Sequence, residues 1–204
     1  MIVYTPLDLP KLEPDDWDTF WNIWNLYSGN LVKVASHGTH SNSPVGSNNL
    51  WRGLDIFKKS TGRTLWECPY FDISADLPLM YNSISLLNIK TLYRVRLIQS
   101  LISIDSHTDD NTDQWKIRGF LHYTDNKSQW YFTKPAGNER TYITLPSNGQ
   151  WFGYNDKYAW HGTDYNPEHK KILIQLYFRE TFDDAIIQSN TKTYKDYIQS
   201  YVEI

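Results

Sequence analysis

Three residues carry the chemistry this sequence offers most directly: His107 and Asp109, one residue apart, and His161 downstream. Side chains two apart on a strand point the same way, so H-x-D at a strand end aims an imidazole and a carboxylate at one point. That pair can hold a metal ion, and His161, flanked by aromatic residues in YAWHG, is the best candidate for a third ligand. Two histidines and one carboxylate on one face of an ion suit Fe(II) and leave three positions open for a co-substrate and oxygen. With six His and 17 Asp in 204 residues, roughly 0.5 H-x-D matches arise by chance, so the tripeptide needs its context.

The context begins with the runs that deliver the pair. Leu92 to Asp110 reads as two strands, and Tyr93, Val95 and Leu97 alternate with Arg94 and Arg96. Further short strands are predicted over Trp115 to Thr124, Gln129 to Thr133, Thr141 to Leu145 and Gln150 to Tyr154. They are separated by turn residues at Asp125-Asn126, Pro135-Ala136-Gly137 and Ser147-Asn148-Gly149. The last, Lys170 to Phe178, splits into two faces. Ile172, Ile174, Leu176 and Phe178 suit packing beneath helices, while Lys171, Leu173, Gln175 and Tyr177 suit the lining of a cavity inside a small barrel.

Around these strands the pattern turns helical. Pro14, Asp15 and Asp16 make a helix start, and Trp17, Phe20, Trp21, Trp24 and Tyr27 form one apolar stripe ending at Gly29. A second helix is predicted over Ser74 to Leu87, capped by Ser74, with Leu77, Met80, Tyr81, Ile84 and Leu87 as its apolar positions. Residues 1–13 read as an extended, proline-punctuated arm. Asn30 to Thr64, holding His37 and His40, reads as a long loop or lid with a role in substrate selection. Residues 181–204 place Tyr194, Tyr197, Ile198 and Tyr201 at helical spacing, a C-terminal helix that could make a homodimer contact.

Composition narrows the classes. Nine Trp, 15 Tyr and eight Phe favour strands and pocket walls, and Trp130, Trp151 and Trp160 are candidate walls. A net charge of −3 with interspersed signs offers no stripe for nucleic acid. One cysteine, Cys68, excludes an internal disulfide framework and points to a reducing, cytoplasmic setting. No apolar run approaches the ~20 residues of a membrane span, and the start lacks a secretory pattern, so a soluble protein is expected.

Taken in order, YRVRLIQSLISIDSHTD, WKIRGFLHYT, the Asn-Gly turn with GQWFGYND, and WHGTDYNPEHKKILIQLYF resemble the core of the aspartyl/asparaginyl β-hydroxylase-like branch of the Fe(II)- and 2-oxoglutarate-dependent oxygenases. The resemblance covers roughly residues 70–180. It implies a mainly β fold with flanking helices, a double-stranded β-helix or jelly-roll, cupin-like barrel. The chain would then be a single domain: arm, helix and lid over 1–70, barrel over 71–180, and C-terminal helix over 181–204. It further implies that His107, Asp109 and His161 hold Fe(II) and that Lys171 binds the far carboxylate of 2-oxoglutarate. The family usually has an arginine there, and lysine supplies the charge without the bidentate fork. The family's R-x-H motif is matched only by Arg118, which shares a strand face with Phe120 and His122 and is a second candidate carboxylate partner. The implied reaction uses O2, releases succinate and CO2, and hydroxylates a C–H bond of an amino-acid or peptidyl side chain. Two other classes remain open: a cupin-type metal enzyme that does not use 2-oxoglutarate, and a non-catalytic jelly-roll binding module.

Overall fold

The computed structural model describes residues 2–28, 51–58, 71–101, 103–108, 115–121, 130–134, 138–143, 149–155, 157–165, 172–182, 184–185 and 202–203. Its strands fall into two antiparallel sheets. The eight central strands are β3 (Arg94–Ser100), β4 (Ile104–His107), β5 (Trp115–Leu121), β6 (Trp130–Thr133), β7 (Thr141–Tyr142), β8 (Trp151–Asn155), β9 (Trp160–Thr163) and β10 (Ile172–Tyr177). They are ordered β8-β5-β10-β3 in the larger sheet and β4-β9-β6-β7 in the smaller. The chain thus crosses between facing sheets at almost every connection, and this strand order is that of a double-stranded β-helix, as expected. Three further strands widen the larger sheet. β2 (Trp51–Lys58) pairs with β3 at one edge, while β1 (Ile2–Leu7) pairs with β8 and β11 (Val202–Glu203) pairs with β1 at the other.

These additions correct three expectations. The N-terminal arm is a strand of the sheet, Tyr4 to Leu7 aligning with Tyr154 to Trp151. The stretch expected as a lid contains β2; the rest of it, with His37 and His40, lies outside the described residues. Residues 202–203, placed in the expected C-terminal helix, form a strand; Tyr194, Tyr197, Ile198 and Tyr201, on which that helix was read, lie outside the described residues.

Both faces of the larger sheet are covered, which the alternation of β3 records. Val95 and Leu97 join Leu54, Ile117, Trp151, Ile172, Ile174 and Leu176 in a core closed by helices α1 (Trp17–Tyr27) and α3 (Pro78–Leu86). Helix α1 starts at Asp16, whose carboxylate accepts from the backbone N–H of Thr19 at 2.8 Å, and it buries Phe20, Ile23 and Trp24. The predicted second helix divides in two. Pro78 disfavours helical backbone at the residue before it, and Leu77 adopts φ −138°, ψ 63°, so a single turn α2 (Ile73–Asp76) precedes α3. Asp72, rather than Ser74, caps that turn, and Tyr81 is exposed while Leu77, Met80, Ile84 and Leu87 are buried. On the opposite face, Phe120, Phe152, Tyr154 and Leu173 meet Trp130 and Phe132 of the smaller sheet in a second, aromatic core inside the barrel. Ile172 and Ile174 therefore lie helix-side and Leu173 barrel-side, the division the sequence predicts for β10.

The Asn-Gly turn before β8 ties the two ends of the barrel wall together. Gly149 holds φ +72°, its N–H donates to Phe120 O at 2.7 Å, and its carbonyl accepts from Leu12 N–H at 3.2 Å. Left-handed backbone is cheap only for glycine.

Candidate metal centre inside the barrel

The two histidines come together because β4 and β9 are neighbours in the smaller sheet, with His107 directly opposite His161. Their ring centroids are 4.7 Å apart. His161 is buried, 3% exposed, and His107 is half-buried.

Each ring is held in the same way. His107 Nδ1 lies 2.8 Å from Asp105 O, and His161 Nδ1 lies 2.8 Å from Ala159 O, the carbonyl two residues earlier in each case. A carbonyl only accepts, so Nδ1 carries the proton and donates. Nε2 is then the ring nitrogen that would bind an ion. Two rings locked in this tautomer are a preorganised pair of nitrogen donors, since the hydrogen bond at one ring nitrogen decides which nitrogen binds a metal. The donor set present therefore fits a divalent first-row ion. Asp109, expected as the carboxylate, and Lys171, expected as the far anchor, lie outside the described residues, as does His122. Among the described residues no three His, Cys, Asp or Glu side chains converge as a metal cluster.

Aromatic rings enclose His161: Trp130 at 5.0 Å, Tyr154 at 5.2 Å and Phe132 at 6.5 Å. The same Trp130 and Tyr154 rings carry the Arg118 guanidinium, at 5.1 and 5.2 Å. Arg118 thus shares two walls with the histidine pair, buried inside the barrel as its strand face predicts. Of the other candidate walls, Trp151 belongs to the helix-side core, donating to Pro10 O at 2.7 Å. Trp160 lines a groove of about 410 Å³ with Asp105, Ser106, Tyr131, Thr133, Asn138 and Arg140.

The larger sheet contributes a charged residue that the sequence did not single out, Asp55. In register across its inner face stand Asp55 of β2, Arg96 of β3, Gln175 of β10, Arg118 of β5 and Phe152 of β8. Asp55 is buried and pairs with both Arg94 and Arg96. Of the solvent-side and substrate-side positions that the sequence left open for these two arginines, their burial against Asp55 disfavours the first. The available signal was Asp55 itself, a lone carboxylate inside the apolar run LDIF.

No protein-family model matches this sequence, and no curated protein matches it. Similar solved structures include an oxidoreductase of the 2OG-Fe(II) oxygenase family from Burkholderia pseudomallei, at 14% identity over 64% of this chain and 67% of that one, with a TM-score of 0.39. OsALKBH1 is similar at 10% identity over 88% of this chain and 98% of its own, with a TM-score of 0.43. EvdMO1 is similar at 9% identity over 86% of this chain and 46% of its own, with a TM-score of 0.40. Among the described residues, no helix is long and apolar enough to cross a membrane.

Proposed function

We propose that this chain is an Fe(II)- and 2-oxoglutarate-dependent oxygenase that hydroxylates a C–H bond of an amino-acid or peptidyl side chain. The observation that supports this best is the matched pair His107 and His161, opposed in register and each fixed by an Nδ1–H to carbonyl bond. In this reading Nε2 of both rings and the carboxylate of Asp109 hold the ion. Lys171 binds the far carboxylate of 2-oxoglutarate, and Arg118 supplies a second positive charge inside the barrel. Bound Fe(II), with 2-oxoglutarate and O2, supplies the oxidant for the C–H bond, and 2-oxoglutarate leaves as succinate and CO2.

The chain's own contribution is positioning and exclusion of water. The two carbonyls hold the Nδ1 protons and fix the ring planes, so Nε2 is the nitrogen left for an ion and neither ring must rearrange when one arrives. Trp130, Phe132 and Tyr154 pack around His161 and keep bulk solvent from the buried side of the pair. A single cysteine leaves few thiols to compete for the ion and accords with a reducing, intracellular compartment.

Equilibrium dialysis against Fe(II) under anaerobic conditions tests the assignment. Wild type is expected to bind one equivalent, and His107→Ala and His161→Ala to bind none while remaining folded. His161→Ala melts lower, because truncating a buried ring costs about 2–4 kcal/mol. One equivalent bound by either variant would sink the proposal.

A further inference from the structure

The barrel holds a second charged constellation, on the sheet facing the histidine pair. Asp55 Oδ1 accepts from Arg94 Nε at 2.7 Å and Arg96 Nε at 2.8 Å. Its Oδ2 accepts from Nη2 of the same two residues at 2.8 and 3.3 Å. Both guanidiniums are thus gripped side-on by one carboxylate that is 3% exposed, while Arg94 and Arg96 are 20% and 13% exposed. Among the described residues, no acceptor other than Asp55 is hydrogen-bonded to either arginine. The Arg94 guanidinium also lies 5.1 Å from the centre of the Tyr177 ring, which fixes its plane.

A pair that served only the fold would need one arginine for one carboxylate. The second guanidinium adds like-charge repulsion and a desolvation cost. Two immobilised forks, each with Nη1 donors left over, are instead suited to a carboxylate, which accepts such donors in pairs. The direction they face is set by register. Arg94 and Arg96 alternate with Val95 and Leu97 of the helix-side core, so they share the inner face with Gln175 and Arg118. From Arg96 the row runs through Gln175 to Arg118, and from Arg118 through Trp130 and Tyr154 to His161.

From this arrangement we infer that Arg94 and Arg96, held by Asp55, form a carboxylate-binding site inside the barrel, separate from Lys171. Its occupant is the carboxylate of the molecule to be oxidised, an assignment that rests on the oxygenase reading. The site would thereby hold an acidic substrate against the side of the barrel opposite the ion.

Trifluoroacetate is a suitable probe, followed by 19F NMR on the full chain without metal. Saturable line broadening is expected, its affinity falling roughly tenfold or more in Arg96→Gln, the loss of a charge-assisted fork. Lys171→Ala should lose at most a second, independent trifluoroacetate site and keep the one that Arg96→Gln weakens. Arg96→Lys keeps the charge without the fork, so an intermediate affinity is expected, and this variant decides the matter if Arg96→Gln does not fold. No saturable binding, or binding lost in Lys171→Ala and retained in the Arg96 variants, would overturn the site. A second arm identifies the occupant: added Fe(II) and 2-oxoglutarate should leave trifluoroacetate in place at the site that Arg96→Gln weakens. Displacement by them would give the site to the co-substrate and overturn the substrate assignment. Because the first arm needs no metal, its outcome is independent of whether the chain binds Fe(II).

Discussion

Gly162 is the point at which the pairing of β4 and β9 can be tested by one added carbon. A Cβ there would stand 2.6 Å from Ile104 O of β4 and closer still to the Tyr131 hydroxyl. That hydroxyl donates to the same carbonyl at 3.2 Å, so Gly162→Ala strikes both ends of one hydrogen bond. Neither end can retreat cheaply. Tyr131 is buried, its ring lies 4.3 Å from the Arg140 guanidinium, and burial raises its phenol pKa. Forcing a methyl into such a contact costs about 1–3 kcal/mol, and losing the hydrogen bond about 0.5–1.5. Together these predict a fall in melting temperature of roughly 3–18 °C for a chain of this size. Ile104 precedes His107 by three residues on the same short strand, so Fe(II) affinity should fall with stability. Tyr131→Phe removes the hydroxyl but keeps the ring carbon that bears it, 2.5 Å from the added Cβ, so the methyl clash persists; the hydrogen bond is lost only once, and Gly162→Ala with Tyr131→Phe should lose less than the two single variants together, by about 0.5–1.5 kcal/mol. Calorimetry on the three variants gives the cycle. A Gly162→Ala protein melting within about 1 °C of wild type, or strictly additive losses, would refute the contact and the register built on it.

Other consequences are as definite. Lys171→Ala should raise the 2-oxoglutarate concentration needed for half-saturation by an order of magnitude or more, measured in the Fe(II)-loaded protein; an unchanged requirement would move the anchor to Arg118 or elsewhere. Gly149→Ala puts a side chain at φ +72° and a Cβ 2.6 Å from Leu12 O, so it should destabilise by more than about 1 kcal/mol in denaturant titration. Asp16 has its pKa lowered by its bonds to the Thr19 hydroxyl and backbone N–H. Its cap is therefore complete above the ordinary carboxylate range and is lost as pH falls through the lowered value. Asp16→Ala should melt below wild type at pH 7 and converge with it in strong acid; a gap that persists there would show that the carboxylate charge is not what matters.

Much of the barrel was legible because its strands alternate cleanly. β3 and β10 announce one apolar face, and the turn at Gly149 marks the start of β8. The outer strands were harder to read. Pro6 in β1 resembles an arm because it cannot donate to a ladder, yet it sits opposite Phe152. β2 is broken in pattern by Asp55 and by a register shift between Asp55 and Phe57. The C-terminal tyrosines gave a helical period, but a two-residue strand such as β11 is decided by an available edge on β1, which no local pattern encodes. At the site, residue types named the two histidines, but their opposition depends on a pairing across 54 positions. The polar side of β3 could face solvent or substrate on its pattern alone, because alternation marks one covered face, whereas a barrel strand is covered on both. That is why Arg94 and Arg96 reveal their role only beside Asp55.

The central claim, a two-histidine, one-carboxylate Fe(II) centre that takes 2-oxoglutarate, is tested most directly by adding both to the apo-protein without oxygen and recording the visible spectrum. A weak charge-transfer band from the chelated keto acid is expected, disappearing in His107→Ala and in Asp109→Ala. Fe(II) bound with no such band, or a band undiminished in Asp109→Ala, would contradict it.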